Sequence, residues 1–355
     1  MISESACISV IIPCYNVQSY IIDCLDSVIN QSCLPKEIIC IDDGSTDDTL
    51  LILQQYASTY GFIKIIQQAN HGVSIARNKG FEIATGDYIF FLDSDDILNT
   101  NLFSKFKLLL NSEPNLEFFY FDHTSFENDE KYPTSNQIKS IDTALFQSGT
   151  SLLSYLLERK NYSGVVWRYI FKRDLFQKKF TGKFHEDHLV SLSLISKAKI
   201  ACYCMTKQAY FHRIRVSSLS AQKSDYLYVD TLKNILIECI KIINELPLSN
   251  IAKRNYILVM NVTYLESLLK SNQIIDQEKK ESIIKDLGLL KILIRIYINN
   301  KPNVFKNICY LLKYIKQNPC SISTKKALLK CALTKQYPSL NIKNNYIEYS
   351  TLHNL

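Results

Sequence analysis

The first hundred residues alternate between short apolar runs and segments whose apolar residues recur at helical spacing. The apolar runs, each about as long as a buried strand, are residues 8–13, 37–45, 62–68 and 88–93. The helical segments between them are residues 20–31, 46–58 and 73–84. This alternation predicts an α/β fold with a mainly parallel, Rossmann-like sheet flanked by helices. Ser45 or Thr46 is the expected N-cap of the second helix.

Polar residues follow the first, second and fourth apolar runs. The clusters are Pro13-Cys14-Tyr15-Asn16, Asp42-Asp43-Gly44-Ser45 and Asp93-Ser94-Asp95-Asp96. Ligands of open α/β sheets bind beyond the carboxyl ends of the strands. We therefore expect the three clusters to meet at one rim of the sheet.

The remaining chain has a mixed pattern followed by a helical one. Residues 116–124 favour a strand, 151–160 a helix, 184–198 a loop entering a helix, and 209–220 a strand or loop. From about residue 224 the pattern is helical and rich in Ile, Leu, Lys and Asn. We predict a domain boundary near residue 220, with residues 1–220 as one domain and residues 221–355 as a helical C-terminal region.

The acidic clusters are candidates for ligand chemistry. Alternate carboxylates such as Asp93 and Asp95 can face one way and present hard oxygen ligands that suit Mg²⁺ or Mn²⁺. An acidic turn that caps the next helix is the alternative. Asp42 and Asp43 can accept hydrogen bonds from a nucleoside, or can simply form an Asp-Gly turn. Neither cluster has the ligand spacing of a calcium loop.

Two further positions carry candidate chemistry. Arg77, on the third helical segment, could hold a phosphate or could be a solvated surface residue. Glu186 and Asp187 stand at the mouth of a helix, where an acid can act as a general base or as a plain cap. The flanking His185 and His188 do not have the HExxH spacing of a zinc site.

Five segments, in their order and spacing, resemble those of family 2 glycosyltransferases with the glycosyltransferase-A fold. They are SVIIPCYN, IDDGSTDDT, GVSIARNKG, GDYIFFLDSDD and HEDHL. The resemblance covers about residues 7–220 and implies that residues 1–220 form the catalytic domain.

The resemblance also implies roles at the nucleotide. Pro13 and Tyr15 would flank the base, Asp43 would bind uracil with Asp42 beside it, and Arg77 would lie near the base and phosphates. Arg213, with His212 and Arg215 as companions, would contact the diphosphate.

The resemblance further implies roles in catalysis. Asp95 would bind the metal, and Asp93 would contact both the ribose and the metal. Asp187 of the Glu186-Asp187 pair would be the catalytic base. The expected reaction is metal-dependent, inverting transfer of a hexosyl group from a UDP-sugar to a hydroxyl of a surface glycan, such as capsule or lipooligosaccharide. Mn²⁺ or Mg²⁺ is the expected cofactor. A sugar-nucleotide nucleotidyltransferase, which needs a Gly-rich loop after the first strand, and an inactive scaffold protein are the alternatives.

Composition bears on location and partners. Residues 287–347 contain eleven Lys and Arg and no Asp or Glu, within a chain of net charge +7. This segment predicts either packed helices with solvated lysines or contact with an anionic membrane surface, such as the cytoplasmic face of the inner membrane. The eleven cysteines lack the spacing of a disulfide framework, and no secretory signal or membrane span is apparent. We expect a cytoplasmic enzyme that acts on a glycan or lipid-linked glycan, with no nucleic-acid partner.

Overall fold

The structure is a computed structural model that describes residues 8–127, 142–159, 161–182, 185–215 and 226–270. The strands of the described residues are β1 (Ile8–Cys14), β2 (Glu37–Asp42), β3 (Ile63–Gln67), β4 (Tyr88–Phe91), β5 (Ile97–Leu98), β6 (Phe118–Phe121), β7 (His123–Glu127), β8 (Thr143–Phe146), β9 (Tyr169–Lys172), β10 (Ala201–Cys204) and β11 (Tyr210–Ile214). The helices are α1 (Ile21–Ile29), α2 (Thr49–Thr59), α3 (Val73–Ile83), α4 (Leu102–Ser112), α5 (Gly149–Glu158), α6 (Glu186–Lys197), α7 (Tyr226–Glu245) and α8 (Asn250–Lys270).

Eight strands form one sheet in the order β3-β2-β1-β4-β9-β6-β10-β8. The four N-terminal strands are parallel to one another, and β6 is parallel to β10. Strand β9 runs antiparallel to both β4 and β6, and β8 runs antiparallel to β10. The predicted α/β class and mainly parallel sheet are therefore confirmed. Strands β5, β11 and β7 form a second, three-stranded sheet.

Strands β1, β2 and β4 follow the predicted pattern because they are buried on both faces. All seven residues of β1, all six of β2 and all four of β4 are buried. A parallel strand covered by helices on both faces reads as a continuous apolar run, which is the pattern seen in the sequence.

The predicted start of α2 is wrong. The helix begins at Thr49, with Asp48 in the cap position. Ser45 and Thr46 instead bond to Asn16, whose Oδ1 accepts the Thr46 N–H at 2.8 Å and whose own N–H donates to the Ser45 hydroxyl at 3.1 Å. Asn16 adopts a left-handed backbone with φ 50°, a conformation that asparagine tolerates better than most residues. These contacts join the loops that follow β1 and β2.

The described residues fall into two compact units. One takes the chain up to Leu152 and resumes at Ser163, and the other takes Leu153–Tyr162 together with α7 and α8. On α7 the apolar residues recur every three or four positions, at Leu232, Leu236, Cys239 and Ile243, and all are fully buried. This is the helical stripe expected of the C-terminal region. Whether a domain boundary lies near residue 220 stays a prediction.

Membrane contact is not decided by the described residues. None of their helices is long and apolar enough to cross a membrane. The basic segment 287–347 lies outside the described residues.

Seven cysteines lie in the described residues, each with its side chain in the thiol form. They are Cys14, Cys24, Cys33, Cys40, Cys202, Cys204 and Cys239, and only Cys33 is not fully buried. Burial raises the pKa of the Cys24 and Cys202 thiols, which disfavours the reactive thiolate.

Glu37 connects the amino ends of strands β1, β2 and β3 through hydrogen bonds. Its carboxylate accepts hydrogen bonds from Ser9 at 2.6 Å, Lys64 at 2.7 Å and the backbone of Thr85 at 2.6 Å. Burial alone would raise the pKa of Glu37, but the bonds from Lys64, Ser9 and Thr85 lower it to about 2.

We predict that Glu37→Gln lowers the free energy of unfolding by about 1–2 kcal/mol at pH 7, because the charged acceptor is lost. The wild-type advantage is fully present above the pKa of an unfolded glutamate, about 4.3, and disappears as the pH falls towards 2. Urea unfolding of both proteins at pH 7 and near pH 2.5 measures it. A difference that persists unchanged at the lower pH would contradict the assignment.

Candidate active site

The loop after β4 carries the acidic cluster and is held against β11. Asp96 is 1% exposed, and its carboxylate accepts from the Tyr210 hydroxyl at 2.5 Å and the Arg213 N–H at 2.8 Å. Burial raises the pKa of Asp96 well above its usual value, and the charges of Asp95 and Asp93 act in the same direction. Asp96 therefore anchors the loop, and Asp93 and Asp95 are the acids of the loop that are partly exposed.

Asp93 and Asp95 are both partly exposed and both paired with an arginine. Asp93 Oδ1 accepts from Arg77 at 2.9 Å, and Asp95 Oδ2 lies 2.5 Å from Nε of Arg215. Burial raises the pKa of Asp95, and the charge of Asp93 raises it further, while Arg215 lowers it.

This pair of carboxylates fits a divalent metal ion that is shared with a substrate. Mg²⁺ and ions like it are commonly held by one or two carboxylates and complete their coordination with water and phosphate oxygens. The described residues contain no group of three His, Cys, Asp or Glu side chains arranged as a closed metal site. Asp93 and Asp95 are carboxylates of the kind that such an ion takes.

Arg77 lies at the centre of three carboxylates. Its guanidinium donates to Asp187 at 2.8 Å, to Asp93 at 2.9 Å and to Glu186 at 3.1 Å, and the residue is 5% exposed. Burial would lower the pKa of Arg77, but Asp187, Asp93 and Glu186 raise it above its ordinary value. Helix α3 thus joins the loop after β4 to the start of α6 through one cation.

The residue after Arg77 fixes the chain that leads to α6. Asn78 donates to the Phe180 carbonyl at 2.8 Å and accepts the Phe180 N–H at 3.0 Å. The ring of Phe180 packs beneath the guanidinium, 5.5 Å from its carbon to the ring centroid. A phenyl face at this distance favours the cation. Arg77 and Asn78 together therefore set the place of Phe180.

Helix α6 starts with the acidic pair. His185 takes a left-handed backbone with φ 61° just before the helix, and Glu186 and Asp187 form its first turn. Burial and the charge of Asp187 raise the pKa of Glu186 to about 7, against the opposing effect of Arg77. Burial also raises the pKa of Asp187, while Arg77 lowers it. The pair can therefore hold a proton near neutral pH.

The rim beside β1 and β2 holds the candidate nucleotide residues. Pro13 is buried within β1, and Tyr15 stands just beyond the strand with 46% of its surface exposed. Both Asp43 oxygens are engaged, accepting from Gln68 at 2.7 Å and from the His71 and Gly72 N–H groups at 2.8 Å. Asp42 is 3% exposed, and its Oδ1 has no partner among the described residues.

Three of the expected residues already have their side chains in contact with other groups of the protein. Arg77 is buried among acids, not at the surface. The Arg213 side chain is also buried, with its Nη2 2.9 Å from Asp23 and its Nε donating to the Asp95 carbonyl at 2.9 Å. Asp43 holds the loop before α3. The proposed contacts of these residues with base, phosphate and diphosphate stay predictions.

The family model "Glycosyl transferase family 2" matches residues 9–185, which contain β1 to β4, the loop after β4 and β9. The chain belongs to glycosyltransferase family 2. The match ends at the residue before the Glu186-Asp187 pair. Enzymes of the family generally use a divalent metal ion.

Relatives of known name are other bacterial glycosyltransferases. The uncharacterized glycosyltransferase YibD of Escherichia coli (strain K12) is 32% identical over 231 residues, 62% of this chain and 66% of YibD. The putative teichuronic acid biosynthesis glycosyltransferase TuaG of Bacillus subtilis (strain 168) is 29% identical over 240 residues, 64% of this chain and 95% of TuaG. The chain thus matches just under two thirds of the length of YibD.

A solved structure shares the fold. The crystal structure of S. aureus TarS 1-349 in complex with UDP-GlcNAc matches with a TM-score of 0.58, covering 96% of this chain and 98% of that one. At 19% sequence identity the likeness shows a common glycosyltransferase-A fold.

Sequence reasoning missed residues that organise this family 2 site. Asp96 and Asn16 carry polar atoms in acidic or turn-like segments, where a structural role cannot be told from a binding role. Trp167, the single tryptophan, stacks on Tyr210 with ring centroids 4.6 Å apart. Its being the single tryptophan of the chain is a feature of the sequence that could have drawn attention to Trp167.

We predict that Arg77→Met lowers the free energy of unfolding by about 3 kcal/mol or more, because three carboxylates lose their shared buried cation. Lys79→Met, the same change two residues further along α3, should alter it by less than about 0.5 kcal/mol. Denaturant unfolding at pH 7 measures both. Equal changes in the free energy of unfolding for the two variants would show that Arg77 does not stabilise the three carboxylates.

Proposed function

We propose that this family 2 chain is a metal-dependent inverting glycosyltransferase that moves a sugar from a UDP-sugar to a hydroxyl of a growing surface glycan. One observation carries the proposal. Arg77 brings Asp93 of the candidate metal loop and Asp187 of the candidate base pair into hydrogen-bond contact with the same guanidinium. The candidate metal ligand and the candidate general base, both of which the reaction needs, thus lie beside the same side chain.

Asp187 is the proposed general base. An acceptor hydroxyl is a poor nucleophile, and a carboxylate that takes its proton during attack on the anomeric carbon enables a single in-line displacement, which inverts that centre. Burial raises the pKa of Asp187, and the charge of Arg77 opposes that effect by favouring the ionised form. Glu186 lies beside it and, when protonated, can donate to Asp187, so that the base keeps its charge.

The leaving group is a nucleoside diphosphate, and its growing negative charge needs a cationic partner. Asp95 and Asp93 would hold Mn²⁺ or Mg²⁺, which supplies that charge stabilisation when bound. Arg215, now paired with Asp95, and Arg213 would offer further positive charge at the same loop. His212 directly precedes Arg213 in the sequence.

Asp42 is the stronger candidate for recognising the base. A buried carboxylate oxygen without a partner is costly, so a ligand N–H that donates to it would be bound favourably. The Asp43 carboxylate already accepts three bonds and would act by shaping the β3–α3 loop. Tyr15, exposed at the rim, would cover the base.

Relatives indicate the substrate class. TarS was crystallised with UDP-GlcNAc, and TuaG is named for teichuronic acid biosynthesis. A UDP-sugar donor and a surface-glycan acceptor, free or lipid-linked, are therefore proposed here. Contact of the basic segment 287–347 with the anionic cytoplasmic face of the membrane would place the site near a lipid-linked acceptor. A screen of UDP-sugars for release of UDP, with Mn²⁺ present, tests the function.

We predict that Asp187→Asn lowers kcat by about 10²- to 10⁴-fold with little change in donor binding, because the base is lost. The matched variant Glu186→Gln keeps a donor next to Asp187 and should lose far less. Initial rates with the active donor, and calorimetry with UDP, measure both. A fully active Asp187→Asn protein would remove Asp187 from the mechanism.

We predict that Asp95→Ala weakens Mn²⁺ and UDP-sugar binding together, because the ion links the loop to the diphosphate. Chelation by EDTA should abolish transfer, and added Mn²⁺ should restore it. Titrating Mn²⁺ in the presence of UDP compares the variant with the wild type. Full transfer in excess chelator would mean that Asp93–Asp96 is only a turn.

We predict that Asp42→Asn weakens binding of uridine and of UDP by a similar factor, about tenfold, because the contact is to the nucleoside. Asp43→Asn should disturb the β3–α3 loop and reduce stability as well. Calorimetry with uridine, UDP and phosphate alone separates the contributions. If uridine binds Asp42→Asn as it binds the wild type, the base is recognised elsewhere.

A further inference from the structure

The rim continues past β4 along two more strands. Phe90 of β4 pairs with Ile170 of β9, which pairs in turn with Phe119 of β6. Because β9 is antiparallel, the segment just before β9 and the segment just after β6 emerge at the same rim as Asp93. Two strand spacings separate β4 from β6, about 10 Å. A sugar attached to a diphosphate at Asp93 and Asp95 can extend in this direction.

The segment after β6 is held rigidly. Asp122 accepts from Arg168 at 2.7 Å and from the Tyr203 hydroxyl at 2.8 Å. The Arg168 side chain is buried, donates to the Phe121 carbonyl and lies over the Tyr120 ring. A buried arginine with a carboxylate, a carbonyl and an aromatic face around it has little freedom. The next residue, His123, therefore starts from a fixed backbone.

Aromatic rings connect His123 to the loop after β4. Trp167 stacks on Tyr210, whose hydroxyl donates a hydrogen bond to Asp96. Trp167 also stacks on His212, with the centroids of these two rings 5.0 Å apart and their planes 12° from parallel. His123 lies edge-on to Trp167, with centroids 4.9 Å apart at 82°. These rings form a continuous wall beside the candidate metal loop.

His123 presents polar atoms that the protein does not use. The residue is only partly buried, and neither imidazole nitrogen hydrogen-bonds to a described residue. Burial lowers the pKa of His123 to about 4, and the charges of Arg168 and His212 act in the same direction. A neutral imidazole has one N–H donor and one nitrogen acceptor, which matches the two capacities of a hydroxyl group.

We propose that His123 is a specificity-determining residue that hydrogen-bonds a hydroxyl of the sugar carried by the nucleotide donor. The inference rests on the proposed function. His123 lies on the side of Asp93 away from β1 and β2, whose rim holds the candidate base site, so a change there should affect the sugar and not the nucleoside. A role in packing alone is the competing account, since His123 also contacts Trp167.

The experiment compares binding of UDP with binding of UDP-glucose, UDP-galactose and UDP-N-acetylglucosamine by calorimetry with Mn²⁺. His123→Phe keeps an aromatic ring against Trp167 and removes both nitrogens. For at least one sugar nucleotide, the ratio of its Kd to that of UDP should rise about tenfold, with the Kd for UDP itself changed less than twofold. His123→Gln, which retains a donor and an acceptor, should recover most of the loss.

Ser125→Ala is the matched control, since Ser125 is exposed two residues further along β7. It should leave every ratio unchanged, and thermal unfolding should show that all variants are folded. Unchanged ratios for His123→Phe, or a loss that is equal for UDP and its sugars, would overturn the role of His123 and leave the proposed function standing. A wild-type protein that binds none of the four nucleotides would overturn both.

Discussion

Three carboxylates converge on one buried guanidinium, and the arrangement of the active site depends on that convergence. Asp93 lies 93 positions before the adjacent Glu186 and Asp187 in the chain. Without a cation between them, their mutual repulsion and burial would drive protonation of one or more acids. Arg77 offsets both effects, and its planar fork can serve several oxygens at once. A lysine could supply the charge but not the geometry.

The surrounding sheet explains why the acids can meet. Strand β4 delivers Asp93 to the rim, and α3 packs against the neighbouring strands β1 and β2. Gly80 allows this approach, since a Cβ there would lie 2.4 Å from the Ile11 side chain of β1. Asn78 holds Phe180, whose ring supports Arg77. Asp96 anchors the loop in the interior, whereas Asp93 and Asp95 are partly exposed. A structural acid, Asp96, and two candidate reactive acids, Asp93 and Asp95, are thus close in the sequence but differ in burial.

Much of this could be predicted from the sequence, for a physical reason. Strands β1, β2 and β4 are buried on both faces, so their apolar runs are unambiguous, and the helices between them show a one-sided stripe. The order of motifs then pointed to family 2, which the family match confirms. The insertion of antiparallel β9 between β4 and β6 was not predictable, because a four-residue run does not specify its neighbours. Nor did the sequence separate Asp96, which is fully bonded, from Asp93 and Asp95, since all three share one acidic segment.

The most direct test of the account is a crystal structure of the protein with UDP and Mn²⁺, in which anomalous scattering locates the ion. The account predicts one strong peak within coordination distance of a carboxylate oxygen of Asp95 or Asp93, bridged to the diphosphate. It also predicts the uracil beside Asp42 and Tyr15, with Asp187 still in contact with Arg77. An ion bound away from the loop after β4, or UDP bound away from the β1–β2 rim, would contradict it.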